Sequence, residues 1–454
     1  MQAIPEDASQ DVFSYITPMG YMSSSTCGYC RRSGNGQSRT RRSYYTRSVS
    51  MNTACYQALI DRSWRRSGTL LYRPNQRDAC CPHYSLRIDS TRFKPTKDQR
   101  QAINRFNKFV VGDAYAKEAA RRHPKSREQA RKRDTEFHLS ERIHESESQS
   151  LKQPPEPAHS FEVTLELDDF TEEKYIVYEN YQQTVHREPK DEISRSGFSK
   201  FLCNSPLRRE TVTMPDGQEK RLGSYHQCYR LDGQLVAIGV LDLLPHAVSA
   251  VYFLYHESIH NWSPGKLGAL REIAVALEGG YRWWYPGFYI HTCPKMRYKM
   301  DYSPQQILNP DIMQWVEVSS EVLAKFDNHG YLDFSGANME QAANSEQKQV
   351  DDTVNIEDQQ DDEDSDDGDH KMYISLLSSN MPGLPPIDSV LSYDYDNIPV
   401  RLRGGILPAV DVFQWQNEDE DIRDGPGPRG QLAQMAAAVG LDLMPQLCLD
   451  IRRT

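Results

Sequence analysis

Two apolar runs separated by a short turn constrain the fold more than any other feature of this 454-residue chain. Residues 235–243 and 248–255 are mostly aliphatic and aromatic, and Pro245-His-Ala lies between them. Such runs predict buried strands, and the short connection predicts a hairpin. A helical apolar face at 267–277 then ends at two glycines, and the aromatic-rich residues 281–292 predict a further strand. The order strand, strand, helix, strand favours a mixed α/β sandwich over a doubly wound sheet.

Charge is distributed unevenly along the chain. Residues 1–135 contain 26 Lys and Arg against 11 Asp and Glu, whereas residues 346–369 contain 12 acidic residues and one Lys. Like charges repel and cannot build a core, so residues 341–371 are predicted to be a disordered acidic linker. The alternative is that this tract mimics a phosphate backbone and competes for the basic half.

The sequence predicts neither membrane insertion nor secretion. No apolar run approaches the roughly 18 residues of a membrane span, and the N-terminus lacks the basic start and apolar core of a signal peptide. We therefore expect the nine cysteines to be in a reducing compartment, where disulfides are rare.

Basic and aromatic residues alternate in the first half of the chain, at 62–66, 92–94 and 105–109. Cations neutralise phosphates and aromatic rings stack on exposed bases, so this pattern predicts contact with nucleic acid. A solvated helix face is the alternative for the basic stretches.

Four cysteines have the spacing of a metal site. Cys27 and Cys30 form a C-x-x-C pair, and Cys80 and Cys81 form a second, vicinal pair. Four thiolates in a reducing compartment predict a zinc ion or an iron–sulfur cluster. A redox-active C-x-x-C pair and unrelated buried thiols are the alternatives.

Nine sequence blocks between residues 18 and 320 resemble the eukaryotic arginyl-tRNA–protein transferase family and occur in the family's order. They are STCGYC at 25–30, YQALIDRSWRRSG at 56–68, CCPHY at 80–84, FKPTK at 93–97, FSKFLCNSPL at 198–207, GSYHQ at 223–227, GVLDLLP at 239–245, ALREIA at 269–274 and YIHTCPKMRYK at 289–299.

This resemblance implies a cysteine-bearing N-terminal domain and a catalytic domain with the mixed sheet of the Gcn5-related N-acetyltransferases. The implied reaction transfers arginine from Arg-tRNA to the α-amine of proteins that begin with Asp, Glu or oxidised Cys, which marks them for degradation by the N-degron pathway. The implied partners are Arg-tRNA and proteins with acidic N-termini. We expect a monomer in the cytoplasm or nucleus, without coenzyme A.

The resemblance also suggests a division of the chain. We expect an N-terminal domain over 1–113 that holds the metal or cluster and contacts tRNA, and a polar linker over 114–160. The acyltransferase-like domain is expected over 161–340, followed by the acidic tract at 341–371 and a C-terminal extension at 372–454.

An aminoacyl ester is already activated, so the implied reaction requires no protein nucleophile. It requires positioning, a group that takes a proton from the amine, and donors for the developing oxyanion. The candidate catalytic residues are Asp242, Glu272 and His226. Asp242 either binds the arginyl group or has a structural partner, Glu272 either acts similarly or forms a surface pair with Arg271, and His226 either takes the proton or is a core histidine.

Further candidates follow from residue type and from the resemblance. Lys295, Arg297 and Lys299 are predicted to alternate along one strand face, where they can meet an acidic acceptor or tRNA phosphate. The remaining candidates for substrate binding are Tyr225, Tyr252, Tyr255, Arg271, Tyr289, His291 and Tyr298. The candidates for tRNA binding are Arg65, Arg66, Lys94, Lys97 and Lys108.

Two other functions compete with this interpretation. An acetyltransferase that uses acetyl-CoA is disfavoured, because residues 262–269 lack the glycine spacing of a pyrophosphate loop. A zinc-containing RNA-binding or scaffold protein without catalytic activity would explain the basic half and the four cysteines.

Overall fold

Two mixed β-sheets organise the computed structural model, which describes residues 12–24, 27, 29–30, 41–215, 217–328, 331–332, 374–413, 422–423 and 427–452. The predicted acidic tract at 341–371 lies outside these residues. The mixed α/β class expected from the sequence is confirmed.

The strands are β1 (Ser14–Ser24), β2 (Arg41–Ser50), β3 (Arg65–Ser67), β4 (Leu70–Pro74), β5 (Tyr84–Asp89), β6 (Phe161–Leu167), β7 (Glu210–Thr213), β8 (Glu219–Leu231), β9 (Gln234–Leu244), β10 (Ala247–Tyr255), β11 (Trp283–Tyr285), β12 (Phe288–Tyr289), β13 (Gln305–Asn309), β14 (Gln314–Glu317), β15 (Pro399–Leu402), β16 (Gly405–Pro408) and β17 (Leu447–Asp450).

The α-helices are α1 (Thr53–Ile60), α2 (Lys97–Arg122), α3 (Arg127–Thr135), α4 (Leu139–Ile143), α5 (Glu172–Tyr181), α6 (Arg195–Phe198), α7 (Pro264–Glu278), α8 (Pro294–Arg297), α9 (Ser320–Asn328), α10 (Ile387–Leu391), α11 (Ala409–Phe413) and α12 (Pro428–Val439). Short turns of π-helix at Ser199–Cys203 and of 3-10 helix at Glu257–Trp262 and Tyr298–Asp301 also border the candidate site.

The predicted hairpin, helix and strand are confirmed at the centre of the larger sheet, whose order is β14-β13-β5-β11-β10-β9-β8-β6. β9 and β10 pair antiparallel, α7 follows, and β11 returns parallel to β10. α7 begins at Pro264, which suits the first helical turn, and ends before Gly279. The predicted strand at 281–292 is divided by Pro286 and Gly287, so that β11 and β12 both pair with β5.

The two faces of the larger sheet are covered differently. α2, α4 and α7 cover one face, where Leu241 and Leu243 pack against Leu270 and Ile273. On the other face, α5 and the turn at 199–203 cover Ile238, Val240 and Leu254. The smaller sheet covers the rest of this face around Leu244, Ala247 and Tyr285.

The smaller sheet has the order β16-β15-β17-β1-β2-β4-β3 and therefore combines the first and last described strands. Conversely, β5 belongs to the larger sheet, although it precedes most of that sheet by more than 70 residues. The predicted domain boundaries stay predictions, and each sheet includes segments from both sides of the predicted linker.

The smaller sheet approaches the π-helical turn at Ser199–Cys203 closely at Gly68, in the turn between β3 and β4. Gly68 has φ +56°, and a Cβ there would lie 2.0 Å from the carbonyl oxygen of Lys200. Only glycine permits this approach of the two backbones.

No helix among the described residues is long and apolar enough to cross a membrane.

Two buried side chains attach the C-terminal segment to the smaller sheet. Arg73 of β4 donates to the carbonyl oxygens of Ala438 at 2.6 Å and Pro382 at 2.8 Å, and Trp64 donates to the same oxygen of Ala438 at 3.2 Å. Burial lowers the pKa of Arg73 to about 9, so its charge depends on these carbonyl dipoles.

We expect Arg73→Met to lower the free energy of unfolding by about 2–4 kcal/mol, because the carbonyls of the C-terminal segment lose charge-assisted hydrogen bonds. Urea denaturation measures this change. Arg403→Met, at an exposed position of the same segment, is the matched control and should change stability by less than ~0.5 kcal/mol. Equal effects of the two substitutions would contradict an anchoring role for Arg73.

Candidate active site and cysteine centre

Asp242 is fully buried in β9 and forms a bidentate ion pair with Arg66 of β3. Arg66 Nε donates to Oδ2 at 2.8 Å and Nη2 to Oδ1 at 2.6 Å, while Ser224 Oγ donates to Oδ1 at 2.6 Å. The carboxylate raises the pKa of Arg66 despite the desolvation that burial imposes. Side chains of the protein itself thus satisfy the hydrogen-bonding oxygens of the Asp242 carboxylate. Of the two roles that the sequence left open for Asp242, this favours a structural partner over binding of the arginyl group.

Burial contradicts the prediction that Arg65 and Arg66 bind tRNA, because only 6% and 5% of these residues are exposed. Arg65 donates to the carbonyl oxygen of Trp64 at 2.6 Å, and its guanidinium lies 4.9 Å from the centre of the Phe288 ring. Alternation of basic and aromatic residues here reflects packing between the two sheets.

The other predicted tRNA ligands, Lys94, Lys97 and Lys108, are exposed. Lys97 and Lys108 lie on α2, with Lys108 Nζ 3.3 Å from Asp113 Oδ1, and Arg100 and Arg105 add exposed cations to this helix. Their arrangement leaves a basic outer face on α2.

His226 is a core histidine, the second of the two alternatives left open by the sequence. Its Nε2 lies 3.0 Å from the carbonyl oxygen of Leu202, and burial lowers its pKa to about 4. Nε2 must carry the proton, since a carbonyl can only accept. Nδ1 is buried without a hydrogen-bond partner among the described residues, so the ring is neutral and enclosed.

Glu272 is buried between α7 and the larger sheet, which contradicts a surface pair with Arg271. Its Oε2 accepts a hydrogen bond of 2.9 Å from Trp284 Nε1. Burial raises its pKa to about 8, against smaller opposing effects of Trp284 and Lys299. Within the described residues no Lys or Arg forms a salt bridge with this carboxyl group, which therefore changes protonation near neutral pH.

Gly239 leaves room beside the Glu272 carboxyl group. A Cβ at this β9 position would lie 3.6 Å from Glu272 Oε1 and 3.7 Å from the Phe253 ring. Of the three candidate catalytic residues, Glu272 is the one whose raised pKa lies near neutral pH, and only 2% of this residue is exposed.

Arg271 faces away from Glu272. Its guanidinium pairs with the buried Glu147 and donates to the carbonyl oxygen of Ile143 at 2.6 Å. These bonds hold α4 and the segment after it against α7, and they leave Arg271 a structural rather than a substrate-binding role.

The predicted strand face of Lys295, Arg297 and Lys299 is wrong, because these residues lie on α8 and the 3-10 turn after it. Pro294 starts the helix, so the period is that of a helix. Lys295 and Arg297 are exposed, whereas Lys299 is buried and donates to the carbonyl oxygen of Phe288 at 2.7 Å.

The candidate tyrosines bond mainly to histidines. Tyr252, Tyr255 and Tyr289 have hydroxyl contacts of 3.0, 3.2 and 2.6 Å with His186, His260 and His291. Tyr225 is buried with its hydroxyl 3.5 Å from the carbonyl oxygen of Leu222, and Tyr298 is half exposed on the turn after α8.

Sequence reasoning missed an aromatic and imidazole cluster at the carboxyl end of β10. The rings of Tyr181 and Tyr255 are 5.1 Å apart, those of Phe201 and Tyr252 are 5.2 Å apart, and His186 contacts Tyr181. Residue type and the family resemblance predict Tyr252 and Tyr255 as candidates, but their partners come from α5 and the turns that follow α5 and α6.

Four cysteines converge where the loop after β1 meets the loop between β4 and β5. The sulfur atoms of Cys27, Cys30, Cys80 and Cys81 lie within 4.8 Å of one another, and those of Cys30 and Cys80 are 3.5 Å apart. A tetrahedral zinc ion with sulfur ligands at about 2.3 Å separates its ligands by roughly 3.8 Å, so these thiols fit one ion. Hydrogen bonds from the Cys80 and Cys81 thiols also lower the pKa of Cys27 far below its ordinary value.

We expect Asp242→Ala to lower the free energy of unfolding by about 3–5 kcal/mol, because it leaves the Arg66 charge buried without a partner. Asp242→Leu combined with Arg66→Met removes both charges and should recover most of this loss. Denaturant titration of both variants is the test, and a loss below ~1 kcal/mol in the single variant would be incompatible with the buried pair.

We expect Cys81→Ser to lower the metal content of the purified chain by about tenfold or more, since changes outside the ligand set alone already cost that much affinity. Elemental analysis provides the measurement. Cys448→Ser, at a buried cysteine in β17, should retain the metal. Equal metal content in both variants would exclude the four-cysteine centre.

Comparison with known proteins shows which family the chain resembles. Residues 25–101 match the family model for the N terminus of arginine-tRNA-protein transferase, and residues 173–309 match the model for its C terminus. Arginyl-tRNA–protein transferase 1 of Drosophila melanogaster is 27% identical over 410 residues, covering 68% of this chain and 83% of the relative.

Further relatives include eukaryotic and bacterial proteins. Arginyl-tRNA–protein transferase 1 of Saccharomyces cerevisiae is 30% identical, covering 56% of this chain and 49% of the relative. The aspartate/glutamate leucyltransferase of Pseudomonas fluorescens is 28% identical, covering 58% of this chain and 83% of the relative. The two ranges that match the family models contain the four cysteines, Asp242 and Glu272, and the chain belongs to the arginine-tRNA-protein transferase family.

Proposed function

We propose that the protein transfers arginine from the 3′ ester of Arg-tRNA to the α-amine of proteins that begin with Asp, Glu or oxidised Cys. The family membership and the names of the relatives support aminoacyl transfer to protein N-termini. They do not favour a non-catalytic scaffold. The buried carboxyl group of Glu272 is the structural observation that carries the proposal.

In the proposed reaction, the neutral amine attacks the ester carbonyl carbon. A C–N bond forms, the bond from the carbonyl carbon to the ribose oxygen breaks, and the amine loses a proton while the leaving oxygen gains one. The ionised form of Glu272 takes the proton from the amine, and its acid form can return it to the leaving oxygen. A pKa of about 8 lies close to that of the α-ammonium group, so removal of a proton from the ammonium to form the neutral amine before attack is nearly isoenergetic.

Basic side chains supply the proposed contacts with both substrates. The exposed Lys97, Arg100 and Lys108 of α2 suit tRNA phosphates, and Lys295 and Arg297 of α8 suit an acidic first residue of the acceptor. The parallel return of β11 next to β10 supports the expected acyltransferase fold.

We further propose that the cysteine centre holds a single zinc ion rather than a cluster, because the ligands of a cluster must stand farther apart than those of one ion. Such an ion would be structural and would tie the loop after β1 to the loop before β5. We propose that the protein acts as a monomer in the cytoplasm or nucleus and that its products enter the N-degron pathway.

Purified protein, labelled Arg-tRNA and peptides that begin with Asp or Met test the activity. We expect label in the Asp peptide and none in the Met peptide. Equal labelling, or none in either peptide, would contradict the proposed function.

We expect Glu272→Gln to lower kcat by about 100- to 10,000-fold, because the amide cannot take a proton. Glu278→Gln, at an exposed position on the same helix, is the matched control and should retain wild-type kcat. Steady-state labelling at saturating substrates measures both, and equal kcat values for Glu272→Gln and wild type would exclude the proton-transfer role.

The raised pKa of Glu272 also predicts how stability depends on pH. Between about pH 5 and 8 the folded state retains a proton that the unfolded state releases, so the free energy of unfolding falls as pH rises through this window. Glu272→Gln should lack this component and be more stable than wild type at pH 8. Denaturation at pH 6 and 8 measures the difference, and identical pH dependence would contradict the shifted pKa.

A further inference from the structure

The turn at residues 290–297 lies directly against the four-cysteine centre. Ile290 and Cys293 are buried and pack on Cys27 and Cys81 in one apolar cluster, with Met296 at its edge. The hydroxyl group of Thr292 also hydrogen-bonds to the sulfur of Cys81. One side of this turn is therefore shaped by the cysteine sulfurs.

The other side of the turn carries the exposed cations Lys295 and Arg297 and the half-buried His291. Lys295 and Arg297 are the residues that we assign to the acidic first residue of the acceptor. The cysteine centre and the proposed acceptor contacts are thus opposite sides of a segment only eight residues long.

Internal hydrogen bonds make this segment behave as one unit. The amide of Cys293 donates to the carbonyl oxygen of Ile290 at 3.1 Å, and that of Met296 to the oxygen of Cys293 at 3.0 Å. Arg297 Nε donates to the carbonyl oxygen of His291 at 3.0 Å. A displacement of Ile290 or Cys293 therefore moves Lys295 and Arg297 as well.

We propose that Ile290 and Cys293 are positioning residues through which the metal-loaded cysteine centre holds Lys295 and Arg297 in place for the acidic first residue of the acceptor. This inference rests on the proposed function for the identity of the acceptor. Bound metal fixes the four sulfurs, the sulfurs fix the apolar side of the turn, and the turn presents its two cations. Loss of the metal then weakens acceptor binding without removing any residue that touches the acceptor.

Hydrogen exchange tests the coupling directly and needs no activity. Exchange is measured on the zinc-loaded, full-length chain before and after a chelator removes the zinc. We expect exchange to accelerate in residues 290–299 and to remain unchanged in β9, which serves as the internal reference for global unfolding. Unchanged exchange in residues 290–299 would overturn the proposal.

Direct binding of an Asp-starting peptide, measured by fluorescence anisotropy without tRNA, tests the consequence. We expect removal of zinc to weaken binding about tenfold, the equivalent of one charge-assisted hydrogen bond. Equal affinity of the zinc-loaded and zinc-free chains would overturn the proposal.

Substitution of Ile290 separates positioning from metal retention. Ile290→Ala should retain zinc and near wild-type kcat but raise KM for the Asp peptide about tenfold, and Ile290→Val should restore KM because it keeps most of the contact. Cys448→Ala is the matched control for a buried apolar site elsewhere. An unchanged KM in Ile290→Ala would overturn the proposal.

These outcomes distinguish the inference from the proposed function. Transfer of arginine by a chain whose residues 290–299 do not respond to zinc would refute the coupling alone. Failure of the wild-type chain to label the Asp peptide would refute the proposed function, while hydrogen exchange would still decide whether zinc holds the turn.

Discussion

The buried ion pair between Arg66 and Asp242 sets the relation between the two sheets. The two residues are 176 positions apart in the chain, and their side chains lie on β3 and β9. Taking two charges out of water costs almost as much as their attraction returns, so the pair adds little net stability. Its bidentate geometry instead permits one relative orientation of the sheets, and Ser224 and the carbonyl oxygen of Gly68 satisfy the remaining polar groups.

The larger sheet buries two carboxyl groups under different conditions. Asp242 faces the smaller sheet and pairs with Arg66, whereas Glu272 projects from α7 onto the opposite face of the larger sheet and accepts a hydrogen bond from Trp284. The first therefore serves as a structural ion-pair partner, whereas burial raises the pKa of the second to about 8. The two faces of the sheet thus give one carboxyl group a structural role and the other a proposed role in proton transfer. Different environments assign different roles to paired carboxyl groups in other enzymes in the same way.

Local patterns predicted the hairpin of β9 and β10, the helix α7 and the site formed by the four cysteines. The hairpin and the helix follow from hydrophobic periodicity, and the cysteine site follows from two pairs of cysteines that are each close together in the chain. The partner of Asp242 could not be predicted, because Arg66 belongs to a distant strand and its basic and aromatic neighbours suggested RNA contact. The strand expected at 295–299 is wrong because Pro294 starts a helix, a local signal that the alternation of basic residues obscured.

The parallel pairing of β1 with β17 joins residues that are more than 430 positions apart, and Thr17 donates to the carbonyl oxygen of Asp450 across 433 positions. Translation at about 5–20 residues per second leaves β1 without this neighbour until residues 447–450 emerge from the ribosome. During that interval its hydrogen-bonding edge is open to other strands, which makes chaperone protection of the nascent chain advantageous.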